Sequence, residues 1–289
     1  MASVTKKALF FFFLCLFISS GVATANLEER PPRVPARSYI VMLPRNNDEV
    51  LWSRNPDTRL PEASLTKIMT AILVLKTSRL DAIETVSRAA ARETGSRIHL
   101  RAGERYYVRD LLTAMLIKSA NDACHALSEH VGGGQKNFVA LMNREAEAMG
   151  LKNTHFTNAC GHDDPEHYTT ARDLAAMTDA ALKYPEFARL VATEYTRIST
   201  VNGRRTFRLH NSNRLIGRYR GVVGVKTGFT PTAGKCLIVL AHRQGREVLL
   251  VLLDDRRRFS DAPRIINEAF RRAAEIDYVR GPRAMNSIR

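Results

Sequence analysis

Long apolar runs are scarce in this 289-residue chain. One lies near the N-terminus, Ala8 to Ile18, with four consecutive phenylalanines, Phe10 to Phe13. It is short for a membrane span, which needs about 20 apolar residues. No second run follows, which argues against a multi-span membrane protein. Cysteine is scarce too: Cys15 falls inside the apolar run, and only Cys124, Cys160 and Cys236 lie beyond it. They show no two-pair ligand spacing of the kind structural zinc sites use. The crowded stretch His155, Cys160, His162, Asp163, Asp164 and His167 therefore reads as a polar loop, and neither metal nor cofactor is expected. An odd number of cysteines leaves at least one unpaired in an oxidising compartment, and spacing does not say which. Cys124 falls in a helical apolar pattern and Cys236 in a strand pattern, so both read as buried thiols. No internal repeat is present, and no low-complexity segment beyond one short linker.

Acids are the minority charge: 44 Lys and Arg face 29 Asp and Glu, for a net +15. Lys6 and Lys7, the apolar run and the small residues Ala23-Thr24-Ala25 together read as a secretory signal, residues 1–25, cleaved before Asn26. Removing its two lysines leaves +13. A basic exported protein meets anionic wall polymers and lipid head groups. Nucleic acid would suit the charge, but export argues against it. The arginines are also scattered, apart from Arg256-Arg257-Arg258 and a basic tail over 276–289.

Residues 26–37 carry Pro31, Pro32 and Pro35 and read as an extended linker. A folded domain is expected over 38–275. Tyr39–Leu43 and Val50–Trp52 read as a hairpin turning at Asn46-Asn47-Asp48. Pro61-Glu62 opens a helix through Leu75. Helical patterns cover Val108–Lys118, Asp122–His130 and Asn137–Met149, with a break at Ser119-Ala120. Thr170-Ala171-Arg172-Asp173 has capping-box form before a helix ending near Leu182. Val222–Gly228, Cys236–Ala241 and Glu247–Leu253 read as strands, and a last helix spans about Pro263 to Ala274. Strands at both ends with helices between them predict an α/β fold. A mixed sheet is flanked by helices, its terminal strands join late, and a mainly helical insertion lies beside it.

Three short strings then follow in order: Ser64-Leu65-Thr66-Lys67, Ser119-Ala120-Asn121 and Lys226-Thr227-Gly228. Each pattern alone is weak, since Ser3-Val4-Thr5-Lys6 and Ser53-Arg54-Asn55 also match. The first decoy lies in the signal segment, and the second precedes Ser64 instead of following it. On a helix, residues three apart share a face, so Lys67 can take the Ser64 proton if burial or a nearby cation lowers its pKa. Lys226 is the expected nearby, permanent cation. Across a short break Ser119 and Asn121 point the same way, one able to pass a proton and the other to hold an amide, unless either is simply a helix N-cap. Lys226 and Thr227 end a strand whose edge can pair with an extended peptide and bind its carboxylate, and Gly228 leaves room for the approach. Together they make an acyl-transfer site.

On these motifs the chain resembles the low-molecular-mass penicillin-binding proteins, the serine D-alanyl-D-alanine peptidases. The resemblance covers about 38–256. It extends to Ala63–Thr70, Ser119–Ala123, Asn153-Thr154-His155-Phe156, Thr170–Asp173 and Val225–Thr230. It implies a D,D-peptidase catalytic domain in which Ser64 is acylated by peptidoglycan stem peptides, with Lys67 as general base. Ser119 would relay the proton to the departing D-alanine, Asn121 would hold the peptide, and Lys226 and Thr227 would bind the terminal carboxylate. The N–H groups of Ser64 and Phe229 would form the oxyanion hole. It also implies β-lactams as covalent inhibitors and work in the periplasm or wall space.

Family members often read Asn-Pro-x-Gly-Leu where this chain has Asn158-Ala159-Cys160-Gly161-His162, at a loop on the rim of the site. Many also continue into a β-rich second domain and an amphipathic helix. With neither in view, the chain resembles the shorter branch, which includes D,D-endopeptidases. Two other readings compete. A class A β-lactamase would add a Glu-x-x-Leu-Asn string between the second and third motifs, and 122–225 contains none. A catalytically idle wall-binding module would not need the intact trio.

Overall fold

The computed structural model describes residues 32–44 and 48–280. The signal segment, the start of the linker, Asn46, Asn47 and the tail beyond 280 lie outside the described residues. The fold opens with β1 (Ser38–Leu43) and β2 (Glu49–Arg54), the expected hairpin. A short 3-10 turn, Ala63–Thr66, leads into α1 (Lys67–Thr77). Then come β3 (Ile83–Thr85), the short α2 (Arg88–Ala91), β4 (Arg105–Tyr107), α3 (Val108–Ile117), α4 (Asn121–Gly132) and α5 (Gln135–Ala148). After a long loop follow α6 (Ala171–Leu182) and α7 (Pro185–Val191). The chain closes with β5 (Tyr195–Ser199), β6 (Thr206–His210), β7 (Val222–Thr230), β8 (Gly234–Arg243), β9 (Arg246–Leu253) and α8 (Arg258–Arg280).

The main sheet runs β2-β1-β9-β8-β7, so the first strand pairs with the last, as the sequence predicts. Every pairing in it is antiparallel. Both faces are covered, which is why β8 and β9 read as nearly continuous apolar runs. Leu249, Val251 and Ile238 pack with the helical layer built around α1, α3 and α4. Leu250, Leu252 and Val239 pack with α8 through Ile265, Ile266 and Ala269. Each of these strand residues is fully buried, and burying a Leu, Ile or Val contributes about 1.5–3 kcal/mol. This three-layer packing makes β7 the rigid outer edge of a stable sheet.

Four expectations change. The segment read as a linker packs from Val34 onward, where Val34 and Ala36 are buried under α8. The small hairpins β3–β4 and β5–β6 go unpredicted, because short, half-exposed strands carry little periodicity. The last helix is longer at both ends than 263–274. Pro263 lies inside its second turn, where proline sacrifices one backbone bond instead of marking the start. Finally, Cys124 is not a free thiol but is joined to Cys160, which leaves Cys236 buried and unpaired.

Candidate active site

Ser64 and Lys67 meet where the 3-10 turn hands over to α1. Side chains three apart eclipse in such a turn, and Lys67 Nζ lies 2.9 Å from Ser64 Oγ. Lys67 is wholly buried. It also donates to Asn121 Oδ1 at 2.8 Å and to the Cys160 carbonyl at 2.5 Å. All three partners are neutral, so no direct contact compensates an ammonium charge. Burial lowers its pKa to about 7, with the negative charge of Glu93 opposing the fall. Near neutral pH a substantial fraction of the sites therefore holds a free amine against the serine hydroxyl.

Ser119 and Asn121 flank the junction of α3 and α4. The residue capping α4 is Ala120, which makes no side-chain cap bond, so neither neighbour is consumed as a cap. Ser119 (φ 63°) and Ala63, next to Ser64 (φ 51°), both adopt the left-handed backbone region. That conformation costs a non-glycine residue about 1–3 kcal/mol and persists only where the surroundings enforce it. Lys226, also buried, donates to Ser119 Oγ at 2.7 Å and to the Thr227 carbonyl at 2.9 Å. Burial, then the positive charges of Lys67 and Arg258, push its pKa well below the usual lysine range. Lys226 is thus not the permanent cation expected from sequence. Two buried amines compete for protons across one site, and they titrate as a pair.

The third string lies on the free edge of the sheet. A Cβ at Gly228 would stand 2.8 Å from the Glu62 carbonyl and 3.3 Å from the Ser64 nitrogen, so glycine lets the strand approach the Ser64 turn. Thr227 Oγ1 and Ser212 Oγ share a hydrogen bond at 2.8 Å. The Phe229 ring, 60% exposed, stands in solvent at the end of the strand. Ser64, Lys67, Ser119, Asn121, Lys226, Thr227 and Gly228 thus converge from three distant parts of the chain.

A family model described as D-alanyl-D-alanine carboxypeptidase matches residues 25–257. The chain belongs to that family. The D-alanyl-D-alanine carboxypeptidase DacF of Bacillus subtilis is 36% identical over 83% of this chain, which spans 62% of that relative's length. A D-alanyl-D-alanine endopeptidase of Pseudomonas aeruginosa is 33% identical over 86% of this chain and 84% of its own. The crystal structure of the Streptomyces K15 DD-transpeptidase superposes with a TM-score of 0.79 at 35% identity, covering 83% of this chain and 99% of that one.

Three supports of this carboxypeptidase-family site escape the sequence reading. The first lies beneath the Ser64 turn. Fully buried Glu62 accepts from Thr66 Oγ1 at 3.1 Å, and His167 Nε2 lies 3.0 Å from the same oxygen. The Thr157 N–H donates to His167 Nδ1 at 3.0 Å, so Nδ1 is the accepting nitrogen and Nε2 faces Glu62. The second is Glu93, which contacts His125 Nδ1 at 2.6 Å and His162 Nε2 at 3.0 Å. Burial pushes its carboxyl up, but the two histidines outweigh that and bring it down to about 2. The Glu93 contacts join residues 32 and 69 positions apart, separations no local spacing reveals.

The third is the rim loop itself. Asn158 Oδ1 accepts from the N–H groups of Cys160, Gly161 and His162 and folds it into a tight turn. The Cys124–Cys160 disulfide ties it to α4. His155, His162 and His167 are each engaged in hydrogen bonds, and no metal-binding group of three or more His, Cys, Asp or Glu occurs among the described residues. Gly161 (φ 83°) presses on the backbone before Ser64: a Cβ there would fall 1.9 Å from the Ala63 carbonyl oxygen. Gly161→Ala will therefore displace the Ser64 turn. We expect a stability loss of about 3 kcal/mol, or roughly 6–12 °C in Tm, and slower penicillin labelling. A variant that melts and labels like wild type contradicts this packing.

Proposed function

We propose that Ser64 is the nucleophile of a serine D-alanyl-D-alanine peptidase acting on peptidoglycan stem peptides. One observation carries the reading: a wholly buried lysine with its pKa near 7 lies 2.9 Å from the serine hydroxyl. Neutral Lys67 takes the Ser64 proton as Oγ attacks the D-alanine carbonyl. The new C–O bond leads to a tetrahedral oxyanion, held by the N–H groups of Ser64 and Phe229. The C–N bond then breaks. Ser119 passes its proton to the departing amine and is reprotonated by Lys226, 2.7 Å away. Lys226 and Thr227 receive the terminal carboxylate, whose charge stabilises the Lys226 ammonium. Asn121 exchanges its contact with Lys67 for the substrate amide. Water then attacks the acyl carbon and the Ser64 C–O bond breaks; Ser64 Oγ takes its proton back from the Lys67 ammonium, and the proton lost by water passes through Ser119 to Lys226, which resets both lysines.

β-Lactams enter the same step and stay, because no Glu-x-x-Leu-Asn base activates the deacylating water. Carboxypeptidase and endopeptidase action differ only in the leaving amine, and resemblance to the Pseudomonas aeruginosa endopeptidase over most of its length favours both. The enzyme acts outside the cytoplasm. We place it free in the periplasm or wall space after cleavage behind Ala25, with its basic surface against anionic wall polymers. N-terminal sequencing of the native protein will begin at Asn26, and a chain beginning at Met1 refutes cleavage.

The deciding experiment incubates the protein with a D-Ala-D-Ala pentapeptide and with cross-linked muropeptides, reading products by mass spectrometry. Free D-alanine establishes the carboxypeptidase, and conversion of dimer to monomer establishes the endopeptidase. Neither product, in protein that is folded, rejects the peptidase.

A further inference from the structure

A cavity of about 560 Å³ opens between the loop before β7 and the start of α8. Arg214, Lys235, Arg256, Arg257 and Arg258 line it, together with Phe259, and no acidic residue does. Arg214, Lys235 and Arg256 are exposed. Arg257 shares its charge with Asp261 at 3.4 Å. Among the described residues, Arg214 and Arg256 have no carboxylate partner, and the Lys235 ammonium donates only to the Arg256 carbonyl at 3.3 Å. The Phe259 ring is within cation–π reach of two guanidinium groups, Arg214 at 5.8 Å and Arg258 at 5.0 Å from its centroid. The ring holds them over the cavity. Like charges held together without counter-charges repel, and an arriving anion relieves the repulsion.

The position of the cavity says which anion. Arg258 both lines it and donates to the Gly228 carbonyl at 2.5 Å, inside the third motif. Arg214 is two residues from Ser212, whose hydroxyl is bonded to Thr227. Lys235 pairs directly with Phe229 across the β7–β8 ladder. The cavity therefore borders the end of the strand where the proposed function places the substrate's terminal carboxylate. A D-alanine leaving group stops at that carboxylate. A cross-linked substrate continues past it into a second stem peptide, which carries several free carboxylates.

We propose that this cavity is a leaving-side subsite, in which Arg214, Lys235 and Arg256 bind the carboxylates of the second peptide of a cross-linked substrate. The proposal rests on the peptidase reading and deepens it. It makes the enzyme select its substrate by charge, beyond the residues that perform acyl transfer. Cation–carboxylate pairs at exposed positions are individually weak, and several around one cavity add affinity and orientation.

The test uses the full chain with Ser64→Ala, so that substrates bind without turnover. Titration calorimetry compares a cross-linked dimeric muropeptide with a monomeric pentapeptide, before and after adding Arg214→Glu and Arg256→Glu together. Dimer affinity should fall roughly tenfold or more, while monomer affinity stays within about twofold. In the Ser64 background the charge-reversed protein should label with fluorescent penicillin at the normal rate, which also shows that it folds. Equal affinities for the dimer in both proteins, or no measurable dimer binding when the arginines are intact, overturns the subsite. Loss of binding to an inorganic polyphosphate chain with dimer binding unchanged also overturns it, and assigns the cavity to a phosphate polymer. If the wild type itself fails to label with penicillin, the peptidase reading has failed instead, so the two failures are distinguishable.

Discussion

Replacing Ser64 by alanine will abolish covalent labelling by a fluorescent penicillin and reduce peptide turnover by on the order of 10⁵–10⁶-fold. The substitution removes the only atom placed to form the acyl bond while leaving the surrounding packing intact. The Ser64 side chain is only partly buried, and among the described residues its hydroxyl is bonded to Lys67 alone. Circular dichroism and the melting transition should therefore change little. The variant also tests two other serines. Ser53 belongs to β2, on the far side of the sheet order from β7. Ser119 has a lysine of its own, Lys226, at 2.7 Å, and is the hydroxyl best placed to substitute. Labelling retained at Ser119 in the variant would mean that the two lysine–serine pairs have their roles reversed. Labelling retained at Ser53 would place the reactive site elsewhere.

What the sequence made legible here is the set of side chains that the fold brings together at the candidate site. Ser64 and Lys67 are three residues apart, a local spacing that survives the difference between the helix expected and the 3-10 turn found. Ser119-Ala120-Asn121 and Lys226-Thr227-Gly228 are likewise strings, and strings are what a linear reading detects. The strand read as having an edge able to pair with a peptide is β7, the outer strand of the sheet. The groups that hold the site in place were not legible, because each acts across the fold. Arg258 reaches the Gly228 carbonyl from 30 residues away, at the start of a helix whose first turn the sequence places in a loop. Cys124 and Cys160 read as separate residues because their pairing depends on the rim loop lying against α4, 36 positions on. Glu93 is an ordinary acid in an ordinary stretch until His125 and His162 close on it. The charge of Lys226 was misread for a related reason. A motif lysine looks like a cation, whereas burial beside Lys67 and Arg258 is a property of the assembled site.

The two lysines should separate cleanly when each is replaced by arginine. Lys67→Arg keeps a positive charge, but a guanidinium stays protonated at every accessible pH and has no lone pair to accept a proton. Acylation should fall by about 10²–10⁴-fold, the usual contribution of general-base catalysis. Stopped-flow penicillin labelling measures this directly. Lys226→Arg still offers donors to a carboxylate but resists giving Ser119 a proton, so it should lose less, about 10–100-fold, divided between a higher KM for peptide and a lower kcat. Similar losses in the same kinetic parameter for both variants would refute separate roles. A pH profile gives the sharper form of the test. The free enzyme must hold Lys67 neutral to act, so kcat/KM rises with pH through an inflection near 7, the value to which burial brings this amine. The Glu93 charge opposes that lowering, so removing it must lower the pKa further. Glu93→Gln should therefore move the acid limb to lower pH and retain relatively more activity in mild acid. A limb that stays in place, or moves upward, would show that another group controls it. Because Lys67 and Lys226 titrate together, the inflection belongs to the pair. Repeating the profile with Lys226→Met removes the second amine: burial and Glu93 set the Lys67 value, so the limb should stay near 7.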